Sequence, residues 1–258
     1  MRVLFLGDIF GRPGRGLVTG TLRQVRRDLE LDRVVANGEN ASGGIGITAK
    51  SARQLLESGI DVLTGGNHSF RHKDIAAFFE VSDRLLRPAN LPEGAPGAGW
   101  RIFRPTGGPP YAVVNLLGRV FMDPVDCPFQ TAESILAGIP ADVPVRLVDF
   151  HAEATSEKKA MAYFLDGRVS AVLGTHTHVQ TNDAQILPKG TATLTDCGMT
   201  GPAASALGMD PEEVILRLRT ALPQRFVVSR TPPEMQGALL DIDAATGKVV
   251  TISAWRHA

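Results

Sequence analysis

The stretch RVVANGEN, residues 33–40, runs apolar without alternation from Val34 to Ala36 and then presents Glu39 and Asn40. A strand whose successive side chains are all apolar is covered on both faces, as in a parallel sheet packed between layers. RVLFL (2–6) and DVLTG (61–65) have the same character. Between these runs lie two helical patterns. Residues 16–30 place Leu22, Val25 and Leu29 at spacings of three and four, and TAKSARQLLES (48–58) opens on Thr48 as a cap and stops at Gly59. The chain therefore begins βαβαβ.

Further along, RPANLPEGAPGAGWRIFRPTGGPP (87–110) is rich in proline and glycine, which excludes long helices and predicts loops joining short strands. The buried-strand style resumes in YAVVNLLG (111–118), VRLVDF (145–150) and SAVLG (170–174), with helical SEKKAMAYFL (156–165) between the last two. Because the style resumes, the proline-rich stretch is read as part of one unit rather than as a linker. The C-terminal MQGALLDIDAATGKVVTISAW (235–255) alternates and turns at ATGK, the pattern of a β-hairpin. The expectation is an α/β protein with mixed sheets, a two-sheet sandwich flanked by helices, forming a single domain over residues 1–258.

Composition narrows the class. With 258 residues and 43% hydrophobic content the chain can bury a large core, and 27 basic residues balance 27 acidic ones. No surplus of positive charge is present to bind bulk nucleic acid or an anionic membrane. Cys127 and Cys197 are too far apart for a Cys-x-x-Cys site, which fits a reducing compartment. No apolar run approaches the roughly 18 residues of a membrane span. A cytoplasmic protein is expected. The terminal hairpin offers an edge on which a homo-oligomer could pair.

Chemistry collects where the strands stop. RVLFLG delivers Asp8, RVVANG delivers Glu39 and Asn40, DVLTGG delivers Asn67 and His68, VRLVDF delivers His151, and SAVLGT delivers His176 and His178. Ligands of open α/β sheets bind beyond the carboxyl ends of strands, so groups distant in sequence can converge there. The set holds two carboxylates, two carboxamides and four imidazoles, donors suited to zinc, manganese or iron. Each member has an ordinary alternative. Asp8 suits a helix cap as well as a ligand, Glu39 a surface turn, Asn67 and His68 a Gly-Asn turn, His151 a backbone-bonded core histidine, and His176 with His178 a pair of exposed strand histidines. Five such coincidences together favour a common site. Residues i and i+2 of a strand point the same way, which predicts that His176 and His178 project in parallel and reach two cations. Gly174 leaves room for a close backbone approach.

These residues resemble a known family. The order GD…(D/E)…GNH…H…GTHTH is similar to the calcineurin-like metallophosphoesterases. GDIFGRPGR, NGEN, GNHSF, RPANLPEG, DFHAEATSEK, GTHTHVQT, ILPKGTA and GMTGP resemble the YmdB-like branch of bacterial cyclic-nucleotide phosphodiesterases. The resemblance implies an αββα fold in which Asp8, Glu39, Asn40 and His178 hold one metal and Glu39, Asn67, His151 and His176 the other, with Glu39 bridging and His68 as general acid. Phe10 stands where the superfamily usually has a histidine, and Asn40 is its replacement on this reading. Iron is the metal associated with the YmdB-like proteins, with manganese or zinc as alternatives.

The expected reaction is hydrolysis of a small phosphodiester, a 2′,3′- or 3′,5′-cyclic nucleotide, by a hydroxide bridging two cations, with His68 protonating the leaving oxygen. Arg12 and Arg15, in the loop after Asp8, and Arg119 are candidates for phosphate contact, with surface salt bridges as the alternative. Trp100, Trp255, Tyr111, Tyr163 and the phenylalanines could stack on a base. GRPGRG (11–16) fits neither nucleotide-loop spacing. Three rivals remain: a phosphomonoesterase, a regulatory module on the same scaffold, and an amidohydrolase barrel. In that barrel the His-x-His pair closes the first strand, and eight βα units are not visible here.

Overall fold

The computed structural model describes residues 1–258. In chain order its elements are β1 (Arg2–Leu6), β2 (Asp8–Ile9), α1 (Gly11–Asp28), β3 (Arg33–Asn37), α2 (Ala49–Glu57), β4 (Val62–Thr64), α3 (Ile75–Val81) and β5 (Leu85–Leu86). Then follow β6 (Trp100–Phe103), β7 (Tyr111–Leu117), α4 (Pro128–Gly138), β8 (Val145–His151), α5 (Thr155–Phe164) and β9 (Ala171–Thr175). The last part comprises β10 (Gln185–Ile186), β11 (Ala192–Leu194), β12 (Met199–Pro202), α6 (Pro211–Thr220), β13 (Pro233–Ile242) and β14 (Val249–His257).

The contiguous apolar runs have the cause read from the sequence: each strand is covered on both faces. In β1, Val3 and Phe5 enter the interior between two sheets, and Leu4 and Leu6 pack under helices. One sheet has the order β2-β12-β13-β1-β3-β4-β5, with β14 on β13, and the other β10-β11-β9-β8-β7-β6. Val35 and Val62 of the first meet Val113, Leu147 and Leu173 of the second. Outside the first sheet, Val18, Leu22, Leu55 and Phe79 cover Val34, Ala36 and Leu63. Outside the second, Ile135 and Met161 cover Val114 and Phe150. The result is the expected two-sheet sandwich flanked by helices. The terminal β13–β14 hairpin forms as expected, and the proline-rich segment yields only the short β6.

Two details position the site. Thr48 caps α2 by accepting the Ser51 amide at 3.2 Å, as its sequence suggests. GRPGRG, in contrast, is not a loop: it is the start of α1, and Arg12 and Arg15 lie on that helix. Its second glycine answers to a long-range contact. A Cβ on Gly14 would sit 2.0 Å from the Thr200 carbonyl oxygen, so glycine here lets α1 lie against β12. The same β12 pairs with β2 in the register Met199↔Asp8, which fixes where Asp8 stands.

Candidate metal centre

Asp8 enters the site from β2, Glu39 and Asn40 follow β3, and Asn67 and His68 follow β4, all from the first sheet. His151 is the last residue of β8, and His176 and His178 follow β9, in the second. The eight groups thus meet where the carboxyl ends of both sheets come together.

Asp8 is fully buried and caps nothing, since α1 begins after Phe10 without a side-chain cap bond. Its Oδ2 accepts the His176 amide at 3.0 Å, and its Oδ1 lies 3.5 Å from both Asn40 Nδ2 and His178 Nε2. Asn40 Nδ2 in turn is 3.2 Å from His178 Nε2. Burial works against charge on Asp8, yet the His178 imidazole outweighs it and holds the carboxyl below its usual range.

Glu39, also fully buried, is common to both halves of the cluster. Its Oε1 is 3.2 Å from Asn40 Nδ2, 3.1 Å from His151 Nε2 and 3.2 Å from His68 Nδ1, while Oε2 accepts the His68 amide at 2.8 Å. Burial alone would raise its pKa, but His151 and then His68 hold it well below the ordinary value. On the other side, His151 Nε2 is 3.0 Å from Asn67 Oδ1 and 3.0 Å from His176 Nδ1. Burial disfavours an imidazolium at His151, and Glu39 reverses this and pushes it up to about 9. His176, desolvated and facing His151, is pushed down to about 4. The crowding leaves no space at Gly66, where a Cβ would lie 2.3 Å from Glu39 Oε2.

The residues fit a cation. His151 Nε2 has three partners at 3.0–3.1 Å, namely a carboxylate oxygen, an amide oxygen and an imidazole nitrogen, and at most one proton to share among them. Glu39, His151 and His176 also place one donor atom each within 4.8 Å of one another. Converging lone pairs of this kind are relieved by a positive ion.

The expected parallel projection of His176 and His178 does not occur. β9 ends at Thr175, and both histidines adopt positive φ, +104° and +63°, so strand alternation no longer applies. The imidazoles diverge instead, His176 toward His151 and His178 toward Asp8 and Asn40.

Arg12 is exposed, and Arg15 donates to the Ala41 carbonyl beside Asn40. Arg119 is exposed in a cavity of about 740 Å³ with Glu157 and Phe129, which adjoins that of His68 at Pro124 and Val125. None of the three hydrogen-bonds a member of the cluster. His68 and Asn67 line a different cavity, of about 440 Å³, with Phe70, Arg71, Leu91 and Val125. Phe70 is the one aromatic side chain in that lining.

Several supporting residues escaped the sequence reading. Thr175 Oγ1 is 2.9 Å from His151 Nδ1 and donates to Asp149 Oδ1 at 2.7 Å, and Asn37 Nδ2 donates to Asp149 Oδ2 at 3.0 Å. Such partners orient a ligating imidazole. Burial pushes Asp149 up to about 6, against the charge of His151 and its hydrogen bonds. The available signal was a polar residue inside an apolar strand: Asp149 in LVDFH and Asn37 in RVVAN.

The chain has extensive relatives. The sequence profile described as YmdB-like protein matches residues 4–254. A Bacillus subtilis protein named 2′,3′-cyclic-nucleotide 2′-phosphodiesterase is 47% identical over 98% of this chain and 95% of its own length. A Mycoplasma genitalium protein named putative phosphatase/phosphodiesterase is 35% identical over 99% of this chain and 92% of its own. A crystal structure of a hypothetical protein from Thermus thermophilus superposes with a TM-score of 0.93 at 42% identity, covering 100% of this chain and 99% of that one. That of a phosphatase from Mycoplasma pneumoniae gives 0.92 at 34% identity, covering 100% and 93%. With the donor cluster on a two-sheet sandwich and this similarity along almost its whole length, the chain belongs to the YmdB-like family.

Proposed function

We propose that the protein is a metal-dependent phosphodiesterase that hydrolyses a 2′,3′-cyclic nucleotide. One observation carries the reading: the buried Glu39 carboxylate stands in a cluster of polar groups from two sheets, with Asn40, His68 and His151 within 3.1–3.2 Å of its Oε1. The substrate class follows the name of the Bacillus subtilis relative.

Asp8 and His178 would hold one cation, joined by Asn40 on turning its amide so that Oδ1 replaces the Nδ2 now facing them, and Asn67, His151 and His176 would hold a second, with Glu39 shared. Iron is favoured by the family, with manganese or zinc also suited to this donor set. Two cations so held supply Lewis acidity to the phosphoryl oxygens and make the attacking water acidic enough to react near neutral pH. The rest falls to the chain. His68 touches the cavity and has its Nδ1 fixed by Asn40 Oδ1 at 3.1 Å and Glu39 Oε1 at 3.2 Å. The ring is therefore oriented, with Nε2 3.2 Å from Asn67 Nδ2, and Nε2 is the atom that would hand a proton to the leaving oxygen once it is released from that amide, a contribution of about 10²–10⁴ in rate. The cavity of about 440 Å³ is of a size to take a nucleotide, with Phe70, Leu91 and Val125 against the nucleoside and Arg71 as a cation for the phosphate. Arg71 lines the same cavity as His68, which Arg12, Arg15 and Arg119 do not.

The test is metal analysis of the purified protein, followed by assay of the metal-loaded form on 2′,3′- and 3′,5′-cyclic nucleotides, bis-p-nitrophenyl phosphate and p-nitrophenyl phosphate. Turnover of the 2′,3′-cyclic compounds and the diester is expected. Turnover of the monoester alone, or none with both metals bound, would overturn the reading.

A further inference from the structure

The segment from His176 to His178 has a support outside the donor set. Thr177 donates twice to Asp196 Oδ2, through its amide at 3.1 Å and its hydroxyl at 2.7 Å. Lys158 Nζ, from α5, donates to the same oxygen at 2.6 Å. Lys158 and Asp196 are only 3% and 1% exposed. The other carboxylate oxygen accepts the Gly198 amide at 2.8 Å, and the Gly198 carbonyl accepts the amide of Asp8 at 3.1 Å. One carboxylate therefore links the histidine segment of the second sheet to the strand pairing that fixes Asp8 in the first.

Two physical facts make this more than a structural ion pair. Burying a lysine and an aspartate costs desolvation that the attraction between them often does no more than offset, so such a pair is weak evidence for stability and is better understood through what it orders. The residue it orders lies between two histidines whose positive φ is disfavoured for L side chains and persists only when the surroundings impose it. Of the three backbone amides in the segment, that of His176 is held by Asp8 and that of Thr177 by Asp196.

We propose that Asp196, clamped by Lys158, is a positioning residue: through Thr177 it keeps the two imidazoles splayed toward separate cations, and through Gly198 it sets their distance from Asp8. The cation part of this statement rests on the metal reading given above.

Thr177→Val removes one hydroxyl donor and leaves Lys158–Asp196 paired, so the variant is expected to fold. Thr177→Ser restores the donor. Calorimetric titration of the chelator-stripped full chain with Mn²⁺ should show Thr177→Val weakened about 10- to 100-fold and Thr177→Ser within about twofold of the parent. In the metal-free protein, ¹⁵N-labelled imidazole resonances of His176 and His178 should form one sharp set in the parent and Thr177→Ser, and broaden or double in Thr177→Val. Parental Mn²⁺ affinity and imidazole spectrum in Thr177→Val, with only a lower melting temperature, overturn the proposal. Equal weakening in both variants also overturns it. If the parent itself binds no Mn²⁺ or Fe²⁺, the metal reading fails, and the metal-free spectra still decide whether the strut orders the imidazoles.

Discussion

His151 Nε2 lies 3.0 Å from His176 Nδ1, and the two nitrogens can share at most one proton although Glu39 Oε1 approaches the first at 3.1 Å as well. Glu39 also reaches Asn40 and His68, so it is the group on which both halves of the cluster depend. With Glu39 shared by two cations as proposed, Glu39→Gln should leave one bound ion per chain or none and lower diesterase turnover by at least about 100-fold. Elemental analysis of the purified variant checks this, and two ions retained at parental affinity would contradict it.

His68 is one-third exposed at the cavity and stands beside the donors rather than among those assigned to the cations. His68→Ala is expected to keep the parent's metal content and lose about 10²–10⁴ in turnover. Metal content and kcat measured on the same preparation decide between a proton donor and a ligand. Loss of metal, or full activity, refutes the role.

Cation binding should release protons. In the metal-free protein Glu39 pushes His151 up to about 9, so this imidazole is charged at pH 7 and must lose its proton to ligate. Affinity should then rise with pH by about tenfold per unit between 7 and 9 and level off above. Calorimetry in two buffers of different ionisation enthalpy at pH 7 should report about one proton released on filling the His151 side. An affinity flat across this window excludes a charged His151.

At Asp183 partial burial opposes the charge, but Lys159 and the hydroxyls of Thr195 and Thr181 hold the carboxyl well below the usual range. A depressed folded-state pKa contributes stability above the unfolded value of about 3.9 and loses it as pH falls toward the folded one. Asp183→Asn should therefore cost about 1 kcal/mol at pH 7, a melting shift of about 2–4 °C, with the difference shrinking below about pH 4. Thermal melts across pH 2–7 give the comparison.

Gly14 is required by contact rather than by turn geometry. Adding a Cβ puts carbon 2.0 Å from the Thr200 oxygen, so Gly14→Ala must push α1 away from β12, at a cost of about 1–3 kcal/mol. Because β12 pairs with β2 at Asp8, metal affinity should fall along with stability. Urea unfolding and Mn²⁺ titration measure the two effects separately.

The layering, and the strand ends from which Asp8, Glu39, Asn40, Asn67, His68, His151, His176 and His178 come together, were legible in the order of residues, while the placing of Arg12, Arg15 and Arg119 was not. Apolar runs such as Val34–Ala36 can be buried on both faces only between layers, and hydrophobic burial acts on composition and period, both visible in one dimension. The donors could be picked out because each stands where such a run stops. How they are held came from long-range contacts instead. GRPGRG has the composition of a loop but begins a helix, and the need for Gly14 shows only in the fold, where β12, from a remote part of the chain, takes the space a side chain would fill. His176 and His178 leave strand geometry because Asp8 binds the His176 amide and Asp196 the Thr177 amide, and those carboxylates come from segments far apart in the chain. Contacts between remote segments depend on how the two sheets face each other, and local spacing carries no record of that.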